Sequence, residues 1–179
     1  DSKTFETTTL GATVTRDLTL NHASGDTALR WAVGGTNRFS LYESSNTLRL
    51  YDNTNSAERL RIDSGGRLLH KHTASRNVGT KTGQLQVINS GNDAAISIIQ
   101  TNNAGSAPFL CFGKTRSANT TGSTIVQDGD SLGQILFAGA DGTDIDSTGA
   151  SITAQVDGTP GSNDMPGRLI FSTTADGAT

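Results

Sequence analysis

His70-Lys71-His72 is the place where residue type and spacing come closest to chemistry. In an extended strand, residues two apart share a face. Were three parallel copies to meet on a threefold axis, six imidazoles would converge at one level, a donor set that suits an octahedral first-row ion such as iron or nickel better than four-coordinate zinc. The alternative is two solvent-facing histidines at the end of a strand, where a polar stretch begins. Trp31, Tyr42 and Tyr51 offer a different chemistry, because an exposed aromatic face is what a sugar ring stacks on. Trp31 keeps phase with Leu29 and Val33, however, and that places it in a core.

Asp144-Ile145-Asp146-Ser147-Thr148-Gly149 opens like a calcium loop but does not finish as one. Counting from Asp144, the fifth place holds Thr148 and the twelfth Gln155, so the bidentate carboxylate that grips the ion is missing and a solvated turn is expected. The catalytic inventory is equally thin. Glutamate occurs only at Glu6, Glu43 and Glu58, with no Gly-x-Ser-x-Gly elbow, no His-Glu-x-x-His helix and no phosphate-binding Gly-Lys-Thr loop. Cleavage of a polysaccharide needs two carboxylates about 5–9 Å apart. Asp63 or Asp146 could in principle supply them across subunits, but nothing else in the sequence points to it, and no enzymatic activity is expected. No catalytic residue and no organic cofactor are implied.

Composition points the same way. Hydrophobic residues make up 33% of the 179, aromatics 5% and charged residues 17%, which is poor in core-forming groups without the charge of a disordered chain. Ser, Thr, Asn and Gly fill the gap, the composition of short strands joined by tight turns. A poor core spread over many strands favours obligate association, with apolar strips from several chains meeting. The net charge of -3, with Lys and Arg scattered singly, gives no reason to bind nucleic acid. No apolar run approaches the ~20 residues of a membrane span, so membrane insertion is not expected. With Asp1 first and no signal-like segment behind it, the chain reads as soluble, and as processed or cut from something longer. Cys111, alone in Phe109-Leu110-Cys111-Phe112, is expected to be a small buried hydrophobe.

Alternation of period two recurs at Leu18 and Leu20, at Leu29, Trp31 and Val33, and at Phe39 and Leu41. It continues at Leu48 and Leu50, Leu60 and Ile62, then Leu68 and His70. Turn clusters separate these pairs every eight to twelve residues or so, the all-β rhythm. The clearest unit is Glu58 to Leu69, where Leu60 and Ile62 face one way, Arg59, Arg61 and Asp63 the other, and Ser64-Gly65-Gly66 turns the chain. Residues 1–72 therefore form a β-repeat stalk, 73–83 a polar linker and 84–179 a second β module. In that module strands are expected over Gln84–Asn89, Ala94–Thr101, Ala107–Lys114, Leu132–Ala140, Ala150–Val156 and Arg168–Thr174.

Glu58-Arg59-Leu60-Arg61-Ile62-Asp63-Ser64-Gly65-Gly66-Arg67 resembles the repeated ERLRIDSSGR unit of bacteriophage tail-fibre and related virion proteins, especially those of phages from marine bacteria. Ser131 to Thr143 and Val156 to Gly177 look like a second module of the same proteins. The resemblance implies an elongated, intertwined homotrimeric β-fibre of the β-prism or β-helix kind, without significant helix. It implies a place on the virion tail, action outside the cell, and contact with other tail proteins and with a host-surface glycan or protein. Some trimeric phage fibres are similar in holding a metal with a His-x-His pair, which brings His70 and His72 forward. A carbohydrate-binding or polysaccharide-cleaving tailspike module is the alternative, and a bacterial surface adhesin a third reading.

Overall fold

The computed structural model describes residue 20 and residues 27–177. Most of the expected Leu18–Leu20 strand lies outside them. The described residues contain eleven strands and no helix, so the all-β expectation holds. The chain divides into two units, Asp1–Ala74 and Ser75–Thr179.

In the first unit β1 (Thr27–Val33), β2 (Thr36–Ser44), β3 (Thr47–Asp52), β4 (Ala57–Ile62) and β5 (Leu68–His70) follow one another as antiparallel neighbours. The turns explain the register. Gly34 and Gly35 close the first hairpin with φ of 57° and 76°, the double left-handed turn whose twist matches paired strands. Ser45 and Asn46 repeat it at 53° and 58°, with Asn46 N–H bonded to the Glu43 carboxylate. Cross-strand partners then share faces. Leu29, Leu41, Leu50 and Leu60 stand in one row, flanked by Trp31 and Phe39 and by Leu48, Ile62 and Leu68. The other face carries Arg30, Ser40 and Tyr51 in one row, and Tyr42, Arg49 and Arg61 in the next.

A bulge between Leu50 and Tyr51 on their partners departs from simple alternation: Leu50 opposes Leu60, but Tyr51 opposes Glu58. The extra residue, Arg59, lets Glu58 and Arg61 reach each other on one face although they are three apart. Arg59 instead bonds the Asp52 carboxylate. The expected grouping of Arg59 with Arg61 is therefore replaced by a grouping of Glu58 with Arg61.

In the second unit β6 (Asn77–Val78) and β7 (Lys81–Thr82) make a minimal hairpin within the segment read as linker, and β8 (Leu85–Val87) follows. Gly79 N–H bonds Ile145 O and Thr80 N–H bonds an Asp146 carboxylate oxygen, each at 3.2 Å, which ties the hairpin to the 141–146 loop. The main sheet is antiparallel in the order β11 (Gly167–Thr173), β10 (Ser147–Val156), β9 (Ser131–Gly139). Its register gathers Gly133, Ile135 and Phe137, then Ala150, Ile152 and Ala154, then Leu169 and Phe171 on a single apolar face. Gln134, Thr153 and Arg168 lie on the opposite one.

Two expected strands differ from the structure. Residues 94–101 and 107–114 run without turn or bend but join no ladder among the described residues. Cys111, expected to be buried, is accordingly exposed. Apolar burial is slight throughout: among the described residues only Leu69, Val126 and Val156 are buried hydrophobes. The low hydrophobic content is gathered on one face of the β1–β5 sheet and one face of the β9–β11 sheet.

Candidate functional site

The polar face of the first unit forms a recess of about 200 Å³ lined by Arg30, Ser40, Tyr42, Tyr51 and Asn53. The Tyr42 and Tyr51 rings meet edge to face, centroids 6.2 Å apart, and the Arg49 guanidinium lies over the Tyr42 ring at 5.5 Å. Ser40 is buried at the floor and its hydroxyl accepts a hydrogen bond from Asn53 Nδ2 at 2.8 Å. Of the three aromatic candidates, the fold thus brings Tyr42 and Tyr51 together and sets Trp31 on the opposite, leucine-bearing face, where it is 49% exposed. The alternation that put Trp31 in phase with Leu29 also puts Arg30 out of phase with them. That was the available signal for Arg30 as a recess residue.

The charged groups beside this recess are spent on structure. Glu58 accepts from Arg61 Nε and Nη2 at 2.6 and 2.7 Å, with Arg49 Nε 3.9 Å away. It thereby reconciles two guanidiniums that stand directly opposite each other in the ladder. Hydrogen bonds from Asn55 and then Arg59 hold the Asp52 carboxyl down to about 2. Asp63 accepts from the Gly65 and Arg67 backbone N–H groups and from Arg67 Nε, and its carboxyl is lowered, chiefly by the Arg67 backbone bond. A carboxylate saturated in this way has no proton to lend and is a poor general acid.

His70 and His72 do not share a strand. The ladder of β5 ends at His70, opposite Leu60, and Lys71 takes φ of 56°, so the same-face rule of a regular strand stops before His72. His70 is exposed, whereas His72 Nε2 is shielded from solvent and has no hydrogen-bond partner among the described residues. No group of three or more His, Cys, Asp or Glu side chains suited to a metal occurs among the described residues.

In the second unit the Asp141–Asp146 loop turns its oxygens inward. Asp141 accepts from the N–H groups of Thr143 and Asp144 and from the Ser147 hydroxyl, and these bonds lower its carboxyl, the Thr143 bond most. Asp144 accepts from Asp146 N–H. These carboxylate oxygens are thus engaged by the loop's own N–H groups and the Ser147 hydroxyl. Arg116 and Asp130 form a two-pronged ion pair at 2.6 and 2.7 Å that closes the 117–129 excursion and holds Asp130 far below the usual carboxylate range. The apolar face of β9 to β11 carries an open groove of about 340 Å³ between Phe112, Leu132, Ile135, Ile152 and Leu169. Phe171 beside it is 72% exposed.

The described residues thus combine antiparallel sheets that each carry an apolar face, tight left-handed turns and no helix. A solved structure described as the carboxy-terminal domain of the bacteriophage T5 L-shaped tail fibre superposes with a TM-score of 0.62 at 18% identity, covering 99% of this chain and 84% of that one. The fold is tail-fibre-like. No family model matches the sequence, and no curated protein does.

Proposed function

We propose that this chain is a structural component of a bacteriophage tail fibre, a non-enzymatic homotrimeric β-rod that supplies reach and stiffness and serves host attachment or connection to the tail. The likeness to the T5 fibre domain along nearly the whole chain carries this reading. The uncovered leucine row of the first unit and the apolar face of β9 to β11 support it, since a threefold arrangement lets such faces meet at an axis and bury side chains worth about 1.5–3 kcal/mol each. Its partners are two further copies of itself, neighbouring tail proteins, and a host-surface glycan or protein, and its place is the virion tail. Mass measurement in solution tests the assembly: three chains are expected, and a stable monomer overturns it.

The recess with Tyr42, Tyr51 and Arg30 favours a second reading, a module that binds carbohydrate. Binding of host polysaccharide that is lost in Tyr51→Ala, with no release of reducing ends, fits a receptor-binding fibre. Release of reducing ends by this chain alone would instead make it a cleaving tailspike.

A further inference from the structure

The runs Ala94–Thr101 and Ala107–Lys114 are each eight residues long and are joined by the short turn 102–106. Two apolar runs so connected ordinarily fold back as a hairpin. Here Gln100 Nε2 reaches Ser106 Oγ at 2.6 Å across the turn, but no ladder follows. Among the described residues, no backbone group from Ile96 to Thr101 or from Ala107 to Lys114 bonds to another backbone group. Most of the side chains are open as well: Ile96, Ile98, Phe109 and Leu110 are exposed, Ile99 is 79% exposed, and Phe112, although it lies against Gly133, keeps more than half of its surface open. An exposed strand edge is normally guarded by charge, above all by lysine. Apart from Lys114 at the far end of the second run, there is not one charged residue from Ala94 onward through both runs, in a chain that has 31 of them by the sum of 14 basic and 17 acidic. Absence of charge is the mark of an interface centre.

We infer that these runs are the strands the chain exchanges with a second copy of itself, Ala94–Thr101 of one copy pairing with Ala107–Lys114 of the next. The two runs match in length and in unmet hydrogen bonds. A head-to-tail pairing uses both runs of every copy and closes into a ring when the rotation closes. Pro108 lacks a donor but sits near the start of its run, where a strand tolerates it. The inference deepens the fibre reading and rests on its self-association. It adds that the second unit is intertwined through this segment rather than merely packed face to face.

Cys111 lies in the second run and is the chain's one thiol, which makes the pairing testable. Cysteine is introduced singly as Ile96→Cys, Ile98→Cys or Ile99→Cys to sample register and both faces, with and without Cys111→Ala. The assembled protein is oxidised mildly and separated under denaturing, non-reducing conditions. Covalent species of two and three chains in at least one variant, absent from the wild type and from its Cys111→Ala counterpart, are the expected result. A monomer with an internal disulfide shows a hairpin within one chain and overturns the inference. So does the lack of any cross-link that depends on the introduced cysteine in a protein whose mass in solution is that of three chains, an outcome that leaves the fibre reading standing. A monomeric mass overturns both.

Discussion

Phe112 lies so close to Gly133 that a Cβ on the glycine would stand 2.7 Å from the Phe112 Cβ and 3.0 Å from its Cγ. Gly133 is thus the notch in β9 that admits Phe112 against the apolar face of the sheet. Gly133→Ala is expected to push Phe112 away and cost about 1–3 kcal/mol, the usual penalty of overpacking. Because the contact is to Cβ itself, Phe112→Ala should not relieve it, whereas Phe112→Gly should. A double-mutant cycle by denaturant melting measures the coupling, and additive costs for Gly133→Ala and Phe112→Gly would show that the two do not meet.

Glu58 stands between two guanidiniums that the ladder places opposite each other. Glu58→Ala leaves Arg49 and Arg61 facing without a counter-charge, and a loss of about 1–3 kcal/mol is expected from the unmet charged hydrogen bonds. Adding Arg49→Ala should restore part of that loss. If Glu58→Ala melts as the parent does, the bulge that brings Glu58 to Arg61 has no energetic role.

Asp52 gives the first unit an acid sensitivity with a definite sign. Its folded carboxyl at about 2 lies below the ordinary 3.8, and its side chain is only 6% exposed. The carboxylate therefore stabilises the fold above the unfolded value, and that stability is lost as pH falls from about 4 through about 2. Asp52→Asn should melt lower at neutral pH and show a flatter melting curve against pH across that window. An unchanged pH slope in Asp52→Asn would remove Asp52 as its source.

The left-handed turn at Lys71 bears on the metal question. With His72 outside β5, purified protein is expected to carry no stoichiometric iron, nickel or zinc through His70 and His72, and His70→Ala should leave the melting temperature unchanged. Elemental analysis decides it. One ion per three chains, lost in both His70→Ala and His72→Ala, would show that association rebuilds the backbone here.

Much of the architecture could be read from the order of residues alone. Period-two alternation located β1 to β5, because a half-buried strand must place an apolar side chain at every second position, and strand-like stretches between turn residues located β8 to β11. The candidate site was less legible. Tyr42 and Tyr51 become neighbours only through the β2–β3 register, and Trp31 leaves them because it falls on the other face of the same sheet. The Arg59 bulge was hidden as well, since an inserted residue changes pairing without changing residue type.

What the sequence determined by itself was local: extended backbone from β-branched and apolar alternation, turns from Gly, Asn and Asp, and a hydrophobic content too small to enclose a core. Tertiary structure alone decided partnership. Leu60 and Ile98 sit in equally strand-like stretches, yet Leu60 finds Leu50 across a ladder while the stretch that holds Ile98 joins no ladder among the described residues. Alternation reports which face a side chain takes, and it is the same whether the neighbouring strand comes from one's own chain or from another copy.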